Sequence, residues 1–535
     1  MKTEMKKTIV RQSLKLTSFM FFILLTFFSA VLFVITPFVL NNIISENHNL
    51  GIVAIFVVVS VLIIGHTIEV VAMLLGNKLS QKYNVDMTLA LYKRVFKLSY
   101  DSYLTMEPSF IQQRIESAVG AFAKFYFSTV PALLINAVMA IITLTITFTI
   151  NPIIALLMFS TLPLNYFGYK ILNKKLSQLS LELNNVCSRA WKDENAIISQ
   201  VDFIKQNAEN AYLLPLIKRH KNDAQDITRR VNNVANGFSC VLSGVNIIIK
   251  SLLILFLASM ILEDANATGN LLFVILVLPY FTSAIASLTN TNLNFSEIKA
   301  AEEFFDKIEN SQEQNGFKQI SKIDTIRFDI DKVTIGSKTL VNNVTCDFKR
   351  GNIVGIMGES GKGKSTLAKL IVKFRDARGI YVDDIPLSDI RNEDYLKRVS
   401  YYSQNAPIIS DSIINNINFG RMSVTEKDCK SLSFLNKFTD LDEVILENGA
   451  NLSGGDKQRI ALARFFTEEA DIVVLDEPTS SLDEATEAEI LTDILKQNTD
   501  RIIFLVSHKA ENMRFCTHVM KITNGKVVVS TPHSY

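Results

Sequence analysis

The sequence predicts an α-helical transmembrane bundle of six helices with long cytoplasmic extensions, followed by an α/β P-loop domain with a helical subdomain. Three observations carry that prediction. Apolar residues make up 48% of the 535 positions, yet their long runs stop near Leu288, so one half of the chain is membrane-like and the other is not. Behind that point, Gly358-Glu359-Ser360-Gly361-Lys362-Gly363-Lys364-Ser365 has the G-x-x-x-x-G-K-[ST] spacing that wraps a nucleotide's phosphates. Further on, the apolar run Ile472-Val473-Val474-Leu475 ends in Asp476-Glu477, a strand that delivers two carboxylates to one edge.

Six segments read as spans: 16–40, 52–76, 127–150, 153–172, 238–262 and 270–290, since crossing a bilayer takes about 20 apolar residues. The first follows a basic stretch, Met1–Lys15. It is too long for a signal peptide and has no small-residue cleavage site, so it reads as a membrane helix. Only Asn151-Pro152 separates the third from the fourth, which predicts a tight hairpin. The connections 41–51, 151–152 and 263–269 lack Lys and Arg, whereas the N-terminus, 77–126 and 173–237 hold many. That bias places the N-terminus, both long connections and everything after the sixth helix in the cytoplasm. The long connections keep helical periodicity, so the helices are expected to run on beyond the bilayer and return. Their tips, able to touch a cytoplasmic domain, are expected near Tyr103–Phe110 and Asn207–Leu214.

Thr143, Thr145, Thr147 and Thr149 alternate with apolar residues, as in a strand. In lipid a lone strand leaves its backbone unpaired, so helix is expected, with the threonines bonding back to their own helix. His66 and Glu69 share a face of the second helix, and Asn246 and Lys250 a face of the fifth. Polar and ionisable groups inside spans face a bundle interior or a wet cavity, which makes these four the candidate substrate cavity. The alternative is that they pair or snorkel for structure alone.

The net charge of +2 argues for neither nucleic acid nor an acidic partner. Cys187, Cys240, Cys346, Cys429 and Cys516 are scattered and odd in number, so they suit neither a metal site nor a disulfide framework and read as reduced thiols. Residues 1–300 are the expected transmembrane domain, 301–324 a linker rich in Glu, Gln and Asn, and 325–535 the nucleotide-binding domain. Strand-like runs at Ile326–Ile330, Thr339–Phe348 and Asn352–Met357 lead into the glycine loop, and Thr366–Phe374 reads as helix. The stretch Gly358–Thr366 would cradle phosphate oxygens with backbone N–H groups and a helix N-terminus. Lys364 would reach the β/γ-phosphates and Ser365 the Mg²⁺. Asp476 can hold the Mg²⁺ through water, and Glu477 can polarise a water for attack on the γ-phosphate.

Between these elements stands Asn451-Leu452-Ser453-Gly454-Gly455-Asp456-Lys457-Gln458-Arg459. Its Leu-Ser-Gly-Gly resembles the signature motif of ATP-binding cassette (ABC) proteins. The resemblance implies that Ser453 and Gly455 contact the γ-phosphate of ATP bound on a partner subunit, with Gly454 between them in the same cofactor-binding turn. Asp456 stands where the family usually has Gln and adds a negative charge near the helix start. Gln404 in Tyr402-Ser403-Gln404 resembles the Q-loop, Asp483 in Ser480-Ser481-Leu482-Asp483 the D-loop, and His508 in Val506-Ser507-His508 the switch histidine. Glu447-Asn448-Gly449 resembles the exporter X-loop. The implied catalytic set is Glu477, His508 and Gln404, the metal set Ser365, Gln404 and Asp476, and the cofactors ATP and Mg²⁺. One part is missing: Val333-Thr334-Ile335-Gly336-Ser337 has no aromatic where the family stacks one on adenine. Such stacking is worth roughly 1–3 kcal/mol, so weak or less adenine-selective binding is expected. Strong adenine preference in an ATP/GTP competition assay would count against this.

Taken together, the layout resembles an ABC exporter half-transporter of the type IV fold over nearly the whole chain. Gln113-Arg114-Ile115 and Val201–Glu209 resemble loop patterns of bacterial exporters. The resemblance implies a dimer, of two copies or with a homologous half-transporter, in the bacterial inner (cytoplasmic) membrane. It implies an amphipathic cargo leaving the cytoplasm or inner leaflet by alternating access, with a small antimicrobial peptide favoured and a lipid or lipophilic drug as the alternative. No peptidase domain precedes the first helix, so leader-cleaving export is not expected. A membrane ATPase that senses without moving cargo is the competing class, and the charged residues within the spans argue against it. Importers usually keep the cassette on a separate chain, which disfavours that reading.

Overall fold

Long apolar runs form very long helices that hold Pro37, Pro163 and Pro279 in their interiors, and Asn151-Pro152 shows what interrupts them. Asn151 is extended, and its Oδ1 accepts from Ile153 N (2.9 Å) and Ile154 N (3.3 Å). Pro152 takes the first helical position, where no donor is needed. The computed structural model describes residues 16–46, 52–106, 108–207, 213–263, 268–335, 338–359, 361–376, 378–404, 407–419, 425–430, 432–466, 469–479, 487–492, 500–523 and 525–532. By its internal contacts the chain divides into two units. Met1–Leu98 and Ser102–Gln312 form the first, and Glu313–Tyr535 with Ser99–Asp101 the second.

The helices of the first part are α1 (Leu16–Glu46), α2 (Ile52–Val95), α3 (Tyr100–Met106), α4 (Pro108–Lys124), α5 (Val130–Ile150), α6 (Pro152–Ile198), α7 (Val201–Asn207), α8 (Leu213–Glu263) and α9 (Thr268–Asn310). A π-helical turn, Phe125–Thr129, joins α4 to α5. Among the described residues, five helical stretches are long and apolar enough to cross a membrane: Leu16–Pro37, Phe56–Val95, Phe110–Thr149, Pro152–Leu176 and Leu213–Phe256. The sixth expected span, 270–290, is helical within α9 but is not among those five.

Thr143 and Thr147 are buried and donate to the carbonyls of Met139 (2.8 Å) and Thr143 (2.7 Å), so the alternating threonines do sit in a helix, bonding back along it. The long connections are helical too. They turn around α3 and α7, and the segment 208–212 of the second expected tip lies outside the described residues. Helix α9 carries on through residue 300 to Asn310, well into the stretch expected to be a linker. It does so because Ala301, Phe304 and Ile308 are buried against Met87, Leu91, Val95 and Ile111. Arg94 Nη1 to Glu309 Oε2 (2.6 Å) fastens its end.

The second unit is organised by one sheet of ten strands: β1 (Thr325–Ile335), β2 (Lys338–Lys349), β3 (Ile353–Gly358), β4 (Ile380–Val382), β5 (Ile385–Pro386), β6 (Val399–Tyr402), β7 (Ile472–Asp476), β8 (Ile502–Val506), β9 (His518–Thr523) and β10 (Lys526–Ser530). The order is β5-β4-β1-β2-β10-β9-β3-β8-β7-β6. Strands β3, β8, β7 and β6 pair in parallel, while β1 pairs antiparallel with β2 and β4. Every residue of β7 and β8 is buried, the pattern of a parallel strand covered on both faces. Helix α10 (Lys364–Ile371) follows the loop after β3, and α11 (Gly454–Phe466) precedes β7. Ser99–Asp101 belong to this unit: Tyr100 lies parallel to Phe374 with ring centroids 5.5 Å apart, and Asp101 pairs with Arg375 at 2.8 Å.

Candidate active site

The parallel strands end together, and their ends build the site. β3 runs into the glycine loop. Gly363 caps α10 at φ +100°, a conformation a side chain rarely adopts, and this lets Lys364 start the helix. Lys364 is 5% exposed; its Nζ donates to the carbonyls of Gly358 (2.9 Å) and Glu359 (3.1 Å). The same Nζ lies 3.2 Å from His508 Nδ1. Burial pushes the ammonium below its ordinary range, against the pull of Glu477 and Asp476. Lys362 pairs with Glu359 at 3.5 Å, and Gly361 is exposed. Ser360 lies outside the described residues.

Strand β7 ends in Asp476, 3% exposed and bonded by Ser365 Oγ (3.3 Å) and Tyr401 Oη (3.2 Å). Burial raises its carboxyl above the ordinary range, outweighing those two bonds. Glu477 follows at φ +51°, strained for a non-glycine residue and held by its N–H to Val506 O (3.1 Å). Its carboxylate takes Gln404 Nε2 on Oε2 (2.8 Å) and His508 Nε2 on Oε1. Lys364, His508, Glu477 and Gln404 are therefore joined by direct contacts, and the Ser365–Asp476 pair adjoins them along the chain at both residues. Ser365 Oγ, the Asp476 carboxylate and the Gln404 amide oxygen are hard oxygen donors, a set that suits Mg²⁺.

Ser453 caps α11, and Gly454 and Gly455 are its first two residues. Ser453 N and Oγ donate to Asp456 Oδ2 (3.3 and 2.7 Å), and Lys437 Nζ donates to Asp456 Oδ1 (2.7 Å). Burial alone would raise the Asp456 carboxyl, but the bonds from Lys437 and Ser453 hold it below its ordinary range. The added negative charge thus closes a capping box and is paired. Asp483 and the rest of Ser480–Asp483 lie outside the described residues, as do Gly336 and Ser337. Glu447–Gly449 forms a single 3₁₀ turn.

In the first unit, His66 Nδ1 and Glu69 Oε2 are 3.2 Å apart, with both side chains mostly exposed. Asn246 is half-buried and exchanges amide bonds with Asn165 at 3.2 and 3.3 Å; Lys250, one turn on, is half-buried. Sequence reasoning missed Tyr401 and Lys437, whose roles depend on contacts far along the chain. The Ser-x-x-Asp spacing of the capping box was available as a signal.

Residues 16–285 match the family model described as the ABC transporter transmembrane region, and residues 341–480 match the one described as ABC transporter. The chain is 26% identical over 378 residues to an ATP-dependent lipid A-core flippase 2 of Colwellia psychrerythraea, covering 68% of this chain and 65% of that protein. It is 31% identical over 304 residues to the lactococcin-G-processing and transport ATP-binding protein LagD of Lactococcus lactis subsp. lactis, covering 54% and 43%. A probable ABC transporter ATP-binding/permease protein of Haemophilus influenzae is 35% identical over 219 residues, covering 38% and 39%. The chain thus spans less than two thirds of the length of these relatives. The transmembrane match alone covers half of the 535 residues, and with the second match behind it the chain belongs to the ABC transporter family.

Proposed function

We propose that this chain is one half of an ATP-driven exporter, working as a dimer in which each nucleotide lies between the glycine loop of one copy and the Ser453 turn of the other. The observation that carries this reading is the Glu477 carboxylate held between Gln404 and His508, beside Lys364, in a chain that also carries membrane-spanning helices. Lys364 and the loop amides bind the β/γ-phosphates. Ser365, Asp476 and Gln404 would hold Mg²⁺, which when bound neutralises phosphate charge. The Glu477 carboxylate takes a proton from water as the water oxygen attacks the γ-phosphorus and the bond to the bridging oxygen breaks, giving ADP and phosphate. His508 orients Glu477 and faces the γ-phosphate. ATP favours the closed dimer, so binding switches the bundle outward and hydrolysis resets it.

The N-terminus and the nucleotide domain are cytoplasmic on this reading, following the Lys and Arg bias of the connections. The cargo is amphipathic, and we take it to be a small antimicrobial peptide, with the name of the LagD relative as support. The flippase relatives make a lipid the outcome to be separated. The test is ATPase activity in lipid nanodiscs with candidate peptides or lipids added, wild type against Glu477→Gln. Stimulation by peptides, lost in the variant, supports the reading. Stimulation by lipids alone moves the cargo to that class. A Glu477→Gln protein that turns over ATP like the wild type contradicts it.

A further inference from the structure

Glu487 is 5% exposed and takes no part in the chemistry above. A buried carboxylate needs partners, and this one draws them from two different segments. Its Oε1 accepts from Thr479 Oγ1 (2.7 Å) and Asn512 Nδ2 (2.8 Å), and its Oε2 accepts from Lys509 Nζ. Thr479 follows Glu477 by two residues, and Lys509 directly follows His508. The turn carrying His508 is tied again at Ser507, whose Oγ accepts from Lys509 N (3.1 Å) and Asn512 Nδ2 (3.0 Å). One carboxylate therefore clasps the segments leaving β7 and β8, two residues past Glu477 on the first and one residue past His508 on the second. Burial by itself would raise its pKa, but the bonds from Lys509, Thr479 and Asn512 bring it below the ordinary range, so it is an anion at neutral pH.

We propose that Glu487 is a positioning residue for hydrolysis, acting through Lys509 and Thr479 to hold His508 against Glu477. This rests on the reading that Glu477 and His508 serve the hydrolytic step. Glu487 bonds to none of Lys364, Ser365 and Asp476, so the phosphate-binding parts survive its neutralisation. What is lost is the fixed distance between His508 and Glu477, and small misplacements of catalytic groups cost rate far more than affinity.

Glu487→Gln keeps the shape and loses the ion pair with Lys509. In nanodiscs, kcat is expected to fall roughly tenfold or more, with the KM for ATP and the affinity for a fluorescent ATP analogue within about twofold of wild type. Glu487→Gln/Lys509→Gln, which substitutes an uncharged hydrogen-bonded couple, is expected to recover part of kcat. A wild-type kcat in Glu487→Gln overturns the proposal. So does a loss in which KM rises in step with the fall in kcat, or a double variant no better than the single one. If Glu487→Gln does not fold, Thr479→Val removes one bond to the same carboxylate. It is expected to lower kcat alone by a smaller factor, and an unchanged kcat there overturns the proposal. Glu477→Gln separates the two failures: if it keeps the wild-type rate, the hydrolytic reading falls, whatever Glu487 does.

Discussion

The hydroxyl of Ser453 donates to Asp456 Oδ2 at 2.7 Å, and Asp456 N donates back to that hydroxyl at 3.2 Å. The hydroxyl has a single proton, so a phosphate approaching Ser453 competes with Asp456 for it. Asp456→Gln removes a charged acceptor, and the KM for ATP is expected to fall in a steady-state titration. Ser453→Ala removes the N-cap and should cost about 1 kcal/mol, seen as a lower Tm by calorimetry. An Asp456→Gln protein with a raised KM would show that the carboxylate assists binding.

Burial of Asp476 opposes its ionised form. Its folded pKa is raised by burial, so its contribution is most favourable below the unfolded carboxylate value of about 3.9 and is lost as pH rises through the folded value. Asp476→Asn is therefore expected to unfold at a higher temperature than wild type at pH 7 in EDTA, with the gap closing on acidification. The same variant should lose ATPase activity. A lower Tm at pH 7 would mean that the bonds from Ser365 and Tyr401 outweigh the burial.

Gly363 sits at φ +100°, and a Cβ there would lie 3.2 Å from Leu340 Cβ. Gly363→Ala forces a strained backbone worth on the order of 1–3 kcal/mol and shifts the start of α10. With the free loop relaxing out of the strained conformation that binding needs, affinity for a fluorescent ATP analogue should weaken by roughly 5- to 150-fold, the factor that such an energy implies. Unchanged affinity would show that the loop tolerates another conformation.

Asn165 is 2% exposed and exchanges amide bonds with Asn246 across α6 and α8. Interhelical bonds of this kind in lipid are worth roughly 0.6–2 kcal/mol. Asn246→Leu should lower the Tm of the detergent-solubilised protein, and Asn165→Leu/Asn246→Leu should recover part of the loss. A single variant as stable as wild type would leave Asn246 free to face a cavity.

Much of this arrangement is legible in the sequence because its signals are local. The glycine loop, its strand and its helix are contiguous, and the unbroken apolar runs of β7 and β8 mark strands buried on both faces. Asn151-Pro152 announces its own turn. The parts that stayed hidden depend on distant chain. Whether Asn246 faces space or Asn165 is decided by how α6 packs on α8. Tyr401 and Glu487 acquire roles only when strand ends converge. The stretch after residue 300 looks like a linker by charge, yet Phe304 and Ile308 keep it helical because a buried surface exists for them.

The most direct test of the central claim mixes two disabled copies, one carrying Ser453→Ala and the other Glu477→Gln, co-expressed with different tags and purified as the mixed dimer. If sites form between copies, the mixed dimer holds one site with an intact Glu477 facing an intact Ser453, and its ATPase rate rises clearly above that of either parent. A mixed dimer as inactive as both parents, with the dimer and ATP binding intact, would contradict the account.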